Sequence, residues 1–236
     1  MAGRDRETHA RLLGAAAELF AARGFKDVTV REICAAAHAN VAAVNYHFGG
    51  KLGLYSQVVS KAIDTMRATT DAARAAGVGA SPEQKLRAYI RVFVRRVATD
   101  GPDSWIHRLM AREIADPSSA LDRIADHVIT PRIDYLCGIV AEMTAHSAHD
   151  DVVRRCALSV QSQCHAAMPH PLATRAVRMS SDSPSLDRLA DHIAEFSIAG
   201  IQQVQKVQQV QQVQQVQQVQ QVRRVQRVQK VHRRGA

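Results

Sequence analysis

Aromatic residues are scarce in this chain: Phe, Trp and Tyr make up 4% of its 236 residues, with a single Trp. Any core must therefore be packed mainly with aliphatic side chains and Ala. Gly and Pro are sparse, at 12 and seven, and Ala is abundant, a composition that favours helices over sheets. No apolar run approaches the roughly 20 residues needed to cross a bilayer, so no membrane partner is expected. The opening MAGRDRETHARLL is charged and lacks an uninterrupted apolar stretch, which excludes a secretory signal and points to the cytoplasm. The four cysteines, Cys34, Cys137, Cys156 and Cys164, show no CxxC spacing and fit a reducing interior as small hydrophobes. Enzyme signatures are missing as well: there is no GxSxG, P-loop, GxGxxG or HExxH. His146 and His149 are three apart but lack a Cys or carboxylate framework. Accordingly no catalytic residue, metal site or cofactor is expected.

Charge of one sign is in excess, but unevenly. The net charge is +9, from 31 Lys/Arg against 22 Asp/Glu. The last 36 residues carry seven of those bases and no acid, leaving 24 against 22 in the first 200. The globular part is nearly balanced, and any basic surface on it must be local. From Ile201 to His232 a Val-Gln-(Gln/Lys/Arg) triplet repeats about ten times. On a helix a period of three turns Val by about 60° per repeat around the rod. On a strand Val alternates faces. With no single buried face, residues 202–236 are expected to be a disordered or partly helical tail. Its basic cluster, including Arg223, Arg224, Arg227 and Lys230, could add non-specific affinity for DNA, or the repeat could be a functionless expansion.

The most informative stretch is Thr29 to Leu54, TVREICAAAHANVAAVNYHFGGKLGL. Ahead of it, Leu13, Ala16, Ala17 and Phe20 recur at helical spacing, giving a first helix over about Arg4 to Arg23. Gly24 suits its left-handed stop. Thr29 and Glu32 form a capping box for a second helix with Val30, Ile33, Cys34 and Ala37 inward. Val41, Val44 and Phe48 give a third. Helices this short cannot each make a core, so they must pack on the first as a helix-turn-helix unit. The face of the third helix opposite Val41/Val44/Phe48 carries Asn40, Ala42, Ala43 and Asn45. Ala can touch a thymine methyl and Asn can pair with an adenine edge. Tyr46, His47 and Lys51 at its end suit phosphate, which fixes register without reading sequence. Arg4, Arg6 and Arg11 could form a basic arm beside it, or a frayed terminus.

Together LFAARGF (Leu19 to Phe25), VTVREIC and VNYHFGGK resemble the TetR family of bacterial transcriptional regulators, over Arg11 to about Val59. VRRCALSVQSQC (Val153 to Cys164) and LADHIAEFSIAGI (Leu189 to Ile201) are similar to the dimerisation helices of its CecR-like branch. The resemblance implies an all-α fold, with an N-terminal three-helix DNA-binding domain and a C-terminal helical ligand-binding and dimerisation domain. It implies a homodimer that binds double-stranded operator DNA and represses until a small-molecule effector enters. On the family's pattern Thr29, Tyr46, His47 and Lys51 fall on phosphate contacts, and Asn40, Ala42, Ala43 and Asn45 on the base-reading face. Two positions depart from it: His38 stands where Gly is usual at a turn of positive φ, and Leu52 where an acid is common, with inward packing open to it.

The boundaries expected are 1–54 for the reading head, 55–201 for the effector-binding and dimerisation domain, and 202–236 for the tail. A fourth helix should run to about Ala76. The next starts at Ser81-Pro82, with Leu86, Ile90, Phe93 and Val97 on one face, and Gly101-Pro102 breaks it. Trp105 to Ala115 is a sixth. Leu121 to Thr144 holds Pro131, which should kink or split it. Met168 to Pro184 reads as a linker. Phe93, Trp105, Met110, Ile114, Cys137 and Met143 are candidate pocket walls, with His107, Arg108, Glu113 and Gln163 as polar contacts. Of these, Phe93, Trp105, Met110, Cys137 and Gln163 are the preferred set. The competing reading is a helical scaffold whose head is vestigial and whose tail recruits partners.

Overall fold

The structure is a computed structural model that describes residues 2–100, 104–165, 167–168 and 182–232. Among them it contains only helices: α1 (Ala2–Arg23), α2 (Val30–Ala36), α3 (Val41–Phe48), α4 (Lys51–Ala76), α5 (Pro82–Asp100), α6 (Trp105–Ala115), α7 (Ser119–Ile124), a π-helical turn (Ala125–Ile129), α8 (Thr130–Thr144), α9 (Asp151–His165) and α10 (Ser183–His232). The expected break at Gly101-Pro102 and most of the expected 168–184 linker lie outside the described residues. No helix among those described is long and apolar enough to cross a membrane.

Two hydrophobic clusters organise the chain. The first gathers Leu12, Ala16, Phe20, Val28, Ile33, Val44, Phe48, Leu54 and Val58 from α1 to α4 and the α1–α2 connection, together with Ile106, Leu109 and Ile124 from α6 and α7. The second gathers Leu86, Tyr89, Ile90 and Phe93 of α5 with Leu136, Val140, Val160, Cys164, Ile193 and Ile198 of α8 to α10. Helix α4 contributes to both, Leu54 to Ile63 to the first and Ala73 to the second. Helix α6 is bolted to the head by polar contacts too. Buried Glu113 accepts hydrogen bonds from the Tyr55 hydroxyl and from Ser118, whose N–H lies 3.0 Å away. Arg108 pairs with Glu18, and Lys26 with Asp116 at 2.9 Å.

Pro131 acts as its chemistry requires. It has no N–H to give the carbonyl four residues back, and its ring crowds that carbonyl. The chain answers with a π turn just ahead of it, in which the Thr130 N–H reaches the Ala125 carbonyl. So 119–144 is one helical path with a widened turn, divided into α7 and α8.

Several expectations need correction. Val41 is 41% exposed and does not share the buried stripe of Val44 and Phe48, because it stands a turn ahead of the core. Leu52 is 68% exposed; Leu54 and Tyr55 take the inward positions of its turn. Ile114, a suggested wall, is 69% exposed. Arg4 and Arg6 belong to α1 and not to a flexible arm. The repeat tail, for which a disordered or partly helical extension was expected, continues α10 as a helix as far as His232. Helical hydrogen bonds are local and need no buried face, and Gln, Lys and Arg are good helix formers uninterrupted here by Gly or Pro. Its described Val side chains are exposed, 45% at Val207 and 56% at Val210.

Candidate nucleic-acid interface

Local chemistry fixes α2 and α3. Thr29 caps α2: its hydroxyl accepts the Glu32 N–H at 3.3 Å, while Glu32 Oε2 accepts from the Thr29 N–H at 2.7 Å. The Thr29 hydroxyl also donates to Glu32 Oε2 at 2.7 Å. Arg23 adds an ion pair to Glu32 at 2.8 Å. These bonds, those from Thr29 first, hold the Glu32 carboxyl down at about 2. His38 adopts φ 48° at the turn, the left-handed region that its departure from Gly put in question. Asn40 then caps α3, its side-chain oxygen accepting the Ala42 N–H at 3.0 Å.

The far end of α3 is set by glycine. Gly50 has φ 115°, a conformation that side chains resist, and it turns the chain into α4. Gly53 permits the close approach that follows: a Cβ there would lie 1.8 Å from the Phe48 carbonyl oxygen. Phe48 is pinned from the other side by His9, stacked on it at 4.6 Å and meeting Gln57 Oε1 at 3.0 Å through Nε2. Sequence reasoning missed Gly53, His9 and Gln57. A Gly inside a helical stretch, KLGL, was the available signal for the first; the other two depend on packing between distant segments and leave none.

The eight expected contact residues fall into groups. Ala42, Asn45 and Tyr46 are exposed on one face of α3, Tyr46 at 78%. Exposed Val41 lies at the start of the same helix and adds a methyl-bearing side chain. Ala43 and His47 are half-buried; Ala43 packs against the head cluster, and the His47 ring lies 4.9 Å from that of Tyr46. Thr29 and Asn40 are exposed but committed to caps, which leaves the Asn40 amide nitrogen as its free donor. Lys51 bends inward: Nζ sits 3.4 Å from the Lys26 carbonyl and 4.4 Å from the centre of the Phe25 ring. The face as a whole is small, polar and rigidly backed.

The five preferred pocket residues do not share a wall. Trp105 and Met110 pack against the head-side cluster, Phe93 and Cys137 belong to the other, and Gln163 lines an open groove between α9 and α10. That groove, about 340 Å³, includes Val152, Cys156, Val160, Phe196 and Ile201, and exposed Leu158 (59%) and Phe196 (64%) stand on the two helices that form it.

Comparison with known proteins adds to this geometry. Residues 12–58 match the model of the bacterial regulatory proteins of the tetR family, and residues 82–201 that of the C-terminal domain of the HTH-type transcriptional dual regulator CecR. The CecR regulator of Shigella flexneri is 29% identical over 148 residues, which are 59% of this chain and 66% of that protein, just under two thirds of its length. Among solved structures, a candidate fatty acid metabolism regulator of Clostridium perfringens superposes with a TM-score of 0.62 at 17% identity, over 80% of this chain and 97% of its own. A TetR-family regulator of Streptomyces coelicolor gives 0.56 at 22%, over 85% and 95%. The fold is thereby theirs, and the two family models together span the head and the body. The chain belongs to the TetR family of bacterial transcriptional regulators, with a C-terminal domain of the CecR type.

Proposed function

We propose that the protein is a dimeric, cytoplasmic repressor of transcription that leaves its operator when a small molecule binds the body, and that it carries no catalytic activity. On this reading residues 1–54 read DNA, 55–201 bind the effector and pair the subunits, and 202–236 are an appendage. The observation that carries it is the exposed face of α3, Ala42, Asn45 and Tyr46 on a helix capped at both ends and backed by Val44 and Phe48. A rigid helix with small side chains outward can seat on base edges in the major groove. Tyr46 and Lys51 hold phosphates, and Lys51 turns outward to do so. The α9–α10 groove and its exposed Leu158 and Phe196 form the contact with a second copy, as paired symmetric surfaces require.

Binding to the DNA upstream of the chain's own gene, measured by fluorescence anisotropy, tests the assignment. Tyr46→Ala and Lys51→Ala weaken binding to every sequence alike. Asn45→Ala instead narrows the gap between the preferred site and its single-base variants, by about 1–3 kcal/mol at one position. Unchanged affinity and preference in all three variants would overturn the reading.

A further inference from the structure

The leading turn of α3 differs from the rest of its outward face. On a helix, residues four apart stand one above the other, so Val41 lines up with Asn45 and Ala42 with Tyr46. These four make the exposed arc of α3. The second turn of that arc carries an amide and a phenol, while the first carries only methyl groups. Val41 is 41% exposed, although Val44 and Phe48 of the same helix are buried. An exposed Val is a poor helix former and adds little to the fold here. Exposure of one apolar side chain is ordinary by itself. What gives it meaning is its neighbour. Asn40, at the cap, turns Oδ1 back onto the helix, where it accepts the Ala42 N–H at 3.0 Å. Its amide nitrogen has no hydrogen-bond partner among the described residues. The two-point match of an Asn to adenine needs a donor and an acceptor both aimed at the base. With its oxygen held in the cap, Asn40 presents a donor.

A donor beside a methyl surface is the complement of one base. In the major groove thymine alone carries an acceptor, O4, next to a methyl group, at C5. Guanine offers two acceptors, cytosine a donor, and adenine a donor with an acceptor. The N-terminal residues of a recognition helix are the ones that meet base edges. We propose that the leading turn of α3 reads a thymine in each half-site, with Val41 packing on the C5 methyl group and Asn40 Nδ2 donating to O4. Helical spacing in the sequence puts Val41 inside the head, so this role is visible only once the fold shows it outside. The inference rests on the DNA-binding reading above and adds the base that one end of the reading helix selects.

The test uses the full chain on its preferred duplex, selected from a random-sequence library, with each thymine replaced in turn by uracil. Uracil keeps the pairing and O4 and lacks only the methyl group. Fluorescence anisotropy should show one thymine in each half-site whose replacement weakens binding about fourfold, the worth of one buried methyl group. Val41→Ala should bind the thymine and uracil duplexes alike at that position, whereas Asn45→Ala should keep their ratio. Asn40→Asp keeps the cap, because a carboxylate oxygen still accepts the Ala42 N–H, but presents an acceptor in place of the donor. It should shift preference at the same base pair from thymine towards cytosine, whose N4 donates, by at least about fivefold. Uracil tolerated everywhere by the parent, or a penalty that persists in Val41→Ala, overturns the role of Val41. An unchanged thymine-to-cytosine ratio in Asn40→Asp overturns that of Asn40. Val41 is exposed, so its replacement leaves the fold intact, and the uracil comparison on the parent needs no variant. A chain that selects a sequence and loses binding in Tyr46→Ala, yet ignores every uracil, defeats this inference and leaves the function above standing. A chain that selects no sequence defeats both.

Discussion

At the level of single residues, the head depends on a few atoms with no substitute. Replacing Gly53 by Ala would gain about 1 kcal/mol of helix propensity. It would also drive a methyl group into the Phe48 carbonyl, which must shift along with the end of α3. Overpacking against backbone outweighs the propensity gain, so Gly53→Ala should destabilise by about 2 kcal/mol, seen as a lowered urea midpoint. A stability equal to the parent's would mean that α3 and α4 are further apart than described. Glu32 provides a pH signature. Its carboxyl is depressed to about 2 in the folded chain, so its contribution is complete above the ordinary carboxylate range. It is lost as pH falls from about 4.5 towards 2. Thermal melting of Glu32→Gln should therefore lie below the parent at pH 6 and converge with it near pH 2; a constant gap would contradict the cap.

The same scale shows what the sequence makes legible. Capping residues are local, and Thr29 with Glu32 and the stop at Gly24 were readable from neighbours in the chain, whereas the positive φ at His38 came only from the family's pattern. Burial at a helix end was not. Val41 and Leu52 satisfy the helical spacing of a buried stripe, but spacing says nothing about where the opposing surface stops. The pocket candidates scattered for a related reason. Trp105 and Met110 are apolar and half-buried, yet which of two clusters a helix joins is decided by long-range packing of α6 on α1.

Among the elements, α4 and α10 differ most in what secures them. Helix α4 is buried along both clusters and fixes the head to the body. Helix α10 is secured through Ala190, Ile193, Ala194, Ile198 and Ile201, with a last described tie from Gln205 to the Thr144 carbonyl at 3.2 Å. Beyond it no described side chain is buried. Helix content and packing are thus separate matters in the repeat, because a period of three gives no common face. A chain ending at residue 207 should melt within about 0.5 kcal/mol of the full chain, the range of exposed substitutions. A clear loss in calorimetry would show that the repeat packs on something.

At the scale of the whole molecule, α4 and α6 fix the head and its proposed reading face on α3 to the body, and the apolar α9–α10 surface is the proposed contact with a second copy. A pair of heads related by a two-fold axis must meet the duplex in successive major grooves of one face. Hydroxyl-radical footprinting of the full chain on the DNA upstream of its own gene is the most direct measure of that claim. It should show two protected patches of equal depth on one face of the duplex, about 10 base pairs or a whole multiple of that apart, and Tyr46→Ala should weaken both together. A single patch, or protection that follows no helical repeat and ignores Tyr46→Ala, would contradict it.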